Sequence, residues 1–590
     1  MSLLVVIGSA LLFYLEGLGL AIWILKKYGI SSKNIEISLS VSFGLALNTF
    51  LFSNVYYLLP FFSVSQLAIV LNLVLVIISI ALLFKTGRIP SRPSRLEIST
   101  LALSLVATLL ILRPLLQISG FGFYFSNNGE FQYYAALADA LKFNSASFEI
   151  GGPFGLHSRE SYTALFVAQL SSITGIPTLW LTQPVAGTFA LVFFITLSAL
   201  VNALVRRGID RAKKLFIYLL LASFMLNATS QLFFSLSFVS QYLAMALFVG
   251  IFLLLSIGVP IHSKGSAVAQ VFIGIFCGNV LLVYPEMYPI HLLLILLYVF
   301  ILNLNKNSST IRNLLKSFLF ITMIGFGSNV EGTRSFFSRS LPSSGGWNIF
   351  GALREFETFS GNLFGLSNPF FGPPKPSIVL LLCLLTIGCA SLRNQIREGE
   401  TWIASQSWRA LLLSIVILAL AIYLYIYLSK LGTNYILLKF LLGITWVGYL
   451  VVILGFANRR KIGLSLWAVL LLLLGGQAQV SYTFSKHFSE DSRLSTFTLS
   501  DATLLQESYP DPNLIYLPNV SPYLIPGKFF LFKENLFREE GVWVTEGQEY
   551  SKEKFVLLLG KRLKASDDPA LIYEYILKKE TYSFSLLEPK

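Results

Sequence analysis

Residues 65–85 read SQLAIVLNLVLVIISIALLFK, an almost unbroken apolar run that ends in a lysine. About 20 apolar residues is the length at which an α-helix crosses the hydrocarbon core of a bilayer. The whole chain shares this character, because 55% of its 590 residues are hydrophobic and only 13% are charged. Soluble domains carry about 25% charged residues. The sequence therefore predicts an α-helical polytopic membrane protein.

Similar runs recur on both sides of this stretch and predict about fourteen transmembrane helices. The first run starts at residue 3 without a basic region or a small-residue cleavage site, which favours a retained span over a signal peptide. The predicted spans are 3–25, 36–58, 65–85, 98–117, 180–204, 214–231, 236–258, 268–284, 287–304, 315–328, 377–393, 410–428, 433–456 and 462–480.

The basic residues predict the orientation of these spans. If the N-terminus lies outside, the cytoplasmic loops hold 22 lysines and arginines, whereas the longer outside loops hold 8. Positive residues accumulate in cytoplasmic loops. The net charge of +14 therefore indicates loop topology and not nucleic-acid binding, and we expect a multi-pass protein of a bacterial plasma membrane.

Two domains follow from this topology. Residues 1–480 form the transmembrane domain, with long outside loops at 113–160 and 329–376. Residues 481–590 are rich in charge and contain short apolar runs broken by Pro and Gly, which predicts a small soluble α/β domain outside the membrane. Residues 161–176 are too short and polar for a span and predict a helix lying on the outer membrane surface.

Ionisable residues at the outer edge of the membrane are the candidates for chemistry. Glu130 lies in the first long loop, in residues 123–141 (FYFSNNGEFQYYAALADAL), and Glu286 lies in the proline-flanked turn 284–289 (YPEMYP). The second long loop contributes arginines, and Lys439 lies one turn below the outer surface in residues 435–440 (YILLKF). Each residue also has a non-catalytic explanation. Glu130 could be a solvated charge, Glu286 part of a structural turn, and Lys439 and the loop arginines snorkelling side chains. A carboxylate with nearby cations suits removal of a hydroxyl proton while a phosphate leaves.

These stretches resemble the GT-C class of polytopic glycosyltransferases, which take sugars from polyprenyl-phosphate donors at the outer membrane face. Glu130, followed by Tyr133 and an Ala/Leu-rich helix, is similar to the class's first outside loop. Residues 151–175 (GGPFGLHSRESYTALFVAQLSSITG) resemble its Pro/Gly/His turn and amphipathic helix. The turn around Glu286 and the pair Tyr435 and Lys439 resemble positions that face the donor.

The resemblance implies a GT-C-like fold and an inverting displacement. Glu130 would act as the catalytic base toward a glycan, lipid or protein acceptor, and Lys439 with Arg334 or Arg339 would stabilise the leaving lipid phosphate. The remaining residues implied in donor or acceptor binding are Asn128, Tyr133, His157, Arg159 and Glu286. Many members have paired acids in the first loop, where this chain has Asn127 and Asn128 before a single glutamate. The three cysteines lie in apolar runs, so no metal-ligand motif is predicted and no cofactor is required, while a divalent metal ion stays open.

Three other functions remain open at this point. A polysaccharide polymerase or ligase that uses lipid-linked sugars would depend on the loop arginines and a histidine more than on Glu130. A transporter or flippase would suit about fourteen spans, and Glu16 is a charge deep within one of them. A non-catalytic scaffold would use its outside domain to bind partners.

Overall fold

The structure is a computed structural model in which most helices of the N-terminal two thirds are described. The described residues are 1–30, 35–88, 90–116, 122–124, 130–143, 161–205, 211–226, 239–257, 266–285, 287–303, 308–329, 332–333, 411, 414, 434–457, 462–472, 474–475, 496–498, 515–516, 555–559, 575–580 and 584–589. The predicted spans 377–393 and 410–428 lie almost wholly outside them.

The described part is dominated by helices that occupy most of the predicted apolar runs. Their bounds are α1 Ser2–Lys27, α2 Glu36–Leu58, α3 Val64–Thr86, α4 Arg95–Ile111, α5 Arg113–Leu116, α6 Glu130–Phe143, α7 Ser161–Thr174, α8 Thr178–Leu204, α9 Arg211–Met225, α10 Val239–Ser256, α11 Ala267–Val283, α12 Tyr288–Leu302, α13 Ser308–Ser328 and α14 Asn434–Ala457.

Five of the described helices are long and apolar enough to cross a membrane, namely α1, α2, α3, α8 and α10. All residues of helix α8 except Asn202 and Ala203 are buried, so this helix lies at the centre of the bundle. Helix α3 lies at the edge and exposes Ile69, Leu73 and Ile77 on its outer side. An exposed stripe of large apolar side chains is expected where a helix faces lipid. These features agree with an α-helical membrane protein.

Helix α1 packs closely against its neighbours because glycines occupy the crossing points. A Cβ atom on Gly17 would overlap the carbonyl oxygen of Ser40 in α2, and one on Gly44 would overlap that of Phe13. Gly19 meets α3 in the same way, and its N–H donates to Ser79 Oγ over 2.8 Å. Small residues allow helix backbones to approach closely within a membrane. Glycine at these positions therefore sets the α1–α2–α3 packing.

The prediction that residues 161–176 form a helix on the outer membrane surface is wrong, because helix α7 lies inside the bundle. Residues 162–170 are all buried, on every side of the helix. Phe166 packs against Phe13 of α1 at 4.9 Å between ring centroids and against Phe189 of α8 at 5.7 Å. The polar residues that suggested a surface helix form hydrogen bonds inside the bundle instead. Because the partners of Thr163 and Gln169 lie on α10 and α3, the segment itself did not reveal its burial.

Two small sheets are described. Strand β1 (Gly122–Tyr124) pairs antiparallel with β2 (Thr496–Thr498), so the first long loop contacts the segment after the last helical run. The second sheet has the order β3-β4-β6-β5, with β3 Ile515–Tyr516, β4 Phe555–Leu559, β5 Tyr575–Glu580 and β6 Phe584–Pro589. Strands β3 and β4 are parallel and the other neighbours are antiparallel. Helices of the predicted α/β domain lie outside the described residues.

Candidate functional site

The first residues of α10 form a polar hub inside the bundle. Ser240 Oγ lies 3.0 Å from the Tyr134 hydroxyl of α6 and 3.1 Å from Thr163 Oγ1 of α7. All three side chains are buried. Burying a hydroxyl group costs free energy unless the group forms a hydrogen bond. Ser240 therefore ties α6 and α7 to α10.

The next residue extends the hub toward the turn between α11 and α12. Gln241 Nε2 donates to the Tyr284 hydroxyl over 3.2 Å, and Tyr284 directly follows α11. Gln241 is fully buried, and its Oε1 has no hydrogen-bond partner in the described part of the chain. The start of α10 thus contacts both α6 and the turn that carries position 286.

The hub lies deep within the bundle. Tyr242 of α10 packs against Phe193 and Phe194, with ring centroids 6.2 and 6.3 Å apart. These phenylalanines lie past the midpoint of α8, fifteen and sixteen residues after its first residue. The first residue of α8, Thr178, donates to the carbonyl oxygen of Ala135 over 3.2 Å, so α8 borders the hub from its start to its middle.

A second polar cluster, the Glu16 network, joins four helices. Asn48 Nδ2 of α2 donates to Glu16 Oε1 and Oε2 of α1 over 3.0 and 3.1 Å. Asn48 Oδ1 accepts from the Tyr162 hydroxyl of α7 over 2.8 Å. Asn72 Oδ1 of α3 accepts from Asn48 Nδ2 over 3.3 Å and from Gln169 Nε2 of α7 over 2.7 Å. A carboxyl group in the centre of a bundle is thus held by neutral amides.

Helix α7 links the hub and the Glu16 network, because Tyr162 and Thr163 are consecutive residues. Tyr162 points to Asn48 and Thr163 points to Ser240. The two clusters therefore form one continuous band of polar side chains across α1, α2, α3, α6, α7, α10 and the α11–α12 turn. Polar side chains inside a membrane bundle mark functional sites or interhelical contacts.

Two further buried acids, Glu36 and Glu97, have a structural role. Glu36 accepts from the N–H and hydroxyl of Ser91 over 3.0 and 2.7 Å. Glu97, in the first turn of α4, forms a capping box with Ser94 and also accepts from the N–H of Ile37 over 3.3 Å. Burial raises the pKa of Glu97, and the N–H donors of Ser94 and Ile37 oppose that rise. Glu97 thus caps the starts of α2 and α4, and Glu36 holds the loop at Ser91, so hydrogen bonds to neighbouring segments account for both acids.

The structure gives partial positions for three sequence-predicted site residues. Glu130 and Tyr133 lie on the backbone of α6, and Lys439 lies on that of α14. Their side chains lie outside what the structure describes. The other predicted site residues, namely Asn128, His157, Arg159, Glu286, Arg334 and Arg339, lie outside the described residues altogether.

Helical register connects Glu130 with the hub. Glu130 is the first residue of α6, and Tyr134 follows one turn later on the same side of the helix. Tyr134 reaches Ser240, while Tyr284, two positions before Glu286, reaches Gln241. The start of α6, which carries Glu130, and Tyr284 thus approach the same end of α10.

Of the residues that form this polar band, sequence reasoning named only Glu16. A signal was present, because Asn48, Asn72 and Gln169 interrupt strongly apolar runs. Ser240, Gln241 and Tyr134 carried no such signal, since single hydroxyls and amides near helix ends are common. Among the described residues, no group of three or more His, Cys, Asp or Glu side chains could hold a metal ion.

No protein-family model matches the chain, and no curated protein matches it significantly.

Proposed function

We propose that this chain is an integral membrane glycosyltransferase of the GT-C kind, which transfers a sugar from a polyprenyl-phosphate donor to an extracytoplasmic glycan, lipid or protein by inverting displacement. The proposal includes about fourteen spans, an outside C-terminal α/β domain and a bacterial plasma membrane. A divalent metal ion is not required for this mechanism and stays open.

One observation carries the proposal. The start of α6, where Glu130 lies, and the α11–α12 turn, where Glu286 lies, approach the same end of α10 through Tyr134–Ser240 and Gln241–Tyr284. An enzyme needs its acid and its substrate-orienting groups within one pocket. The start of α6 and Tyr284, which lies two positions before the predicted Glu286, thus approach one place although they are far apart in sequence.

The pairing of β1 with β2 adds support. Strand β1 ends six residues before Glu130, and β2 belongs to the C-terminal region. Since paired strands must lie on the same side of a membrane, the first long loop and the C-terminal region share a compartment. This arrangement suits an acceptor-binding domain beside an outward-facing site.

In the proposed reaction, Glu130 takes the proton of the acceptor hydroxyl. The acceptor's oxygen then bonds to the anomeric carbon as the bond between that carbon and the lipid phosphate breaks. Lys439 with Arg334 or Arg339 stabilises the phosphate as it leaves, because guanidinium and ammonium groups suit phosphate oxygens. Asn128, Tyr133, His157, Arg159 and Glu286 orient the donor or acceptor.

The test is transfer of labelled sugar from polyprenyl-phosphate donors by the purified protein. General-base catalysis contributes about 10²–10⁴-fold, so Glu130→Gln should lower turnover by that factor while leaving thermal stability unchanged. Asp139→Asn is the matched control, because Asp139 lies on the same helix but outside the register of Tyr134 and Leu141. Full turnover in Glu130→Gln would exclude Glu130 as the base. Loss of activity on substitution of Arg334 or Arg339, but not of Glu130, would favour the polymerase or ligase reading.

The second candidate is an ion-coupled transporter, which the Glu16 network favours. Buried ionisable groups in membrane bundles mark ion and proton pathways. Substrate flux into vesicles that depends on Glu16, in the absence of any sugar transfer, would select this reading. A protein that neither transfers sugar nor moves substrate would favour the scaffold.

A further inference from the structure

Four helix ends meet at the side of the bundle that the charge bias predicts to be cytoplasmic. Lys26 Nζ, in the last turn of α1, donates to the carbonyl oxygen of Thr86, the last residue of α3, over 2.6 Å. The N–H of Ile37 in the first turn of α2 donates to Glu97 Oε1 in the first turn of α4 over 3.3 Å. Short loops of eight residues connect α1 with α2 and α3 with α4. The ends of α1 and α3 therefore lie beside the starts of α2 and α4.

The basic side chains at these helix ends are exposed, whereas the acidic side chains are buried. Glu36 and Glu97, the two acids described in these segments, are 3% and 2% exposed and already accept hydrogen bonds. The surface is therefore positively charged. The six basic residues described here, which we call the basic patch, are all exposed except for one half-buried arginine at position 88, and they are Lys26, Lys27, Lys85, Arg88, Arg92 and Arg95.

The basic patch borders the apolar outer surface of the bundle. Phe84 is 82% exposed and directly precedes Lys85 at the end of α3. Ile98 is 54% exposed and lies one turn after Arg95, on the same side of α4. The ring of Trp23 lies 4.9 Å from a lysine ammonium of the patch, and tryptophan is enriched where a bilayer meets water. In a membrane, these neighbours place the basic patch at the depth of the lipid headgroups.

We propose that the basic patch binds the headgroup of an anionic phospholipid, whose acyl chains lie against α3 and α4. Ammonium and guanidinium groups suit phosphate oxygens, and arginine can contact two of those oxygens at once. Each basic residue beside a membrane strengthens the attraction to anionic lipid by a factor of about five.

A phospholipid fits this surface better than a nucleic acid or an acidic protein does. The exposed side chains of Phe84 and Ile98 offer apolar surface to acyl chains directly beside the cations. A bound lipid with its headgroup on the patch bridges the ends of α1 and α3 and the start of α4, so it stabilises their packing. This inference does not depend on the proposed glycosyltransferase activity.

The test is native mass spectrometry of the purified protein, titrated with phosphatidylglycerol or with phosphatidylcholine of identical acyl chains. We expect tighter binding of phosphatidylglycerol by the wild-type protein. Lys85→Gln combined with Arg88→Gln should lower that affinity by about tenfold or more and leave phosphatidylcholine binding unchanged. Arg312→Gln combined with Lys316→Gln is the matched control, because it removes the same two charges from exposed positions of α13. This control should keep the wild-type affinity.

Three outcomes would overturn the proposal. Equal affinity of the wild-type protein for both lipids would mean that the patch does not select an anionic headgroup. An equal loss of affinity in the two double variants would mean that only net charge matters. Thermal stabilisation by inorganic phosphate alone, in phosphatidylcholine nanodiscs, would mean that the patch takes a free anion.

A measurement on the wild-type protein decides the question if the variant at positions 85 and 88 fails to fold. The preference for phosphatidylglycerol should fall as the salt concentration of the titration rises, because salt screens the attraction between exposed charges. A preference that is the same at low and high salt would contradict binding by the basic patch.

Discussion

A single asparagine, Asn48, contacts polar side chains from three other helices. Its amide nitrogen reaches Glu16 and Asn72, and its carbonyl oxygen accepts from Tyr162. Few other groups in the described bundle are so connected. Because lipid offers no alternative partners, each of these hydrogen bonds fixes how one helix rotates against the next.

The Tyr162–Asn48 hydrogen bond can be measured by a double-mutant cycle. We expect Tyr162→Phe to lower the free energy of unfolding by about 1 kcal/mol, because a buried acceptor on Asn48 loses its donor. When Tyr162→Phe is combined with Asn48→Ala, we expect a coupling energy of about 0.6 kcal/mol, the average of such cycles in a membrane protein, and no more than roughly 1.7 kcal/mol, their maximum. Additive effects, from unfolding in mixed micelles, would show that the two side chains do not interact.

At the residue scale, the catalytic role of Glu130 stays a prediction. Glu130 stands out in the sequence as an acid in a long outside loop, and its helix reaches the polar hub. The hub residues themselves were not predictable, because a hydroxyl such as that of Ser240 becomes informative only when a partner more than a hundred residues away lies against it.

At the scale of elements, hydropathy predicted helices well. The predicted span 36–58 coincides with α2, and 65–85 differs from α3 by one residue at each end. The span 98–117 is in fact divided into α4 and α5 at Leu112. Pro114 follows the break, and proline lacks the N–H that a continuous helix would use. Apolar character therefore predicts where helices lie but not where they break.

Glycines in α1 offer a matched test of helix packing. Gly17→Ala places a Cβ against the backbone of Ser40, so we expect a loss of about 1–3 kcal/mol in the free energy of unfolding. Gly8→Ala on the same helix meets no atom within 4 Å and should be neutral or stabilising, since alanine favours helix over glycine. Thermal unfolding of both variants measures the difference. Equal stability would contradict the close α1–α2 crossing.

At the scale of the whole molecule, the β1–β2 pairing joins segments at opposite ends of the chain. Phe123 lies directly across from Phe497 in the register of this sheet. The pairing brings the predicted catalytic loop beside the C-terminal region. A structural change in the C-terminal region can therefore be transmitted through β1 to the start of α6, six residues further along the chain.

Cysteine cross-linking tests this pairing. In a protein whose Cys277, Cys383 and Cys389 are replaced by serine, we expect Phe123→Cys with Phe497→Cys to form a disulfide under mild oxidation. Directly paired residues of an antiparallel ladder have Cα atoms about 4.5–5.5 Å apart, within the range that a disulfide spans.

The diagonal pair Tyr124→Cys with Thr498→Cys is the control, because diagonal neighbours lie roughly 7–8 Å apart. It should cross-link slowly or not at all. Equal yields from both pairs, measured on non-reducing gels, would contradict the register. Reaction of the free cysteines with a membrane-impermeant maleimide in intact cells would then test whether this sheet faces the outside.

The sequence by itself determined that this protein is built from apolar helices suited to a membrane, because hydropathy is a property of consecutive residues. Only the tertiary structure decided that α7 is buried and not superficial, and that Glu16, Asn48 and Tyr162 meet. The physical reason is that a hydrogen bond between Tyr162 and Asn48 joins residues 114 positions apart. A polar residue in an apolar run indicates that its side chain needs a hydrogen-bond partner. Only the packing of the helices identifies that partner.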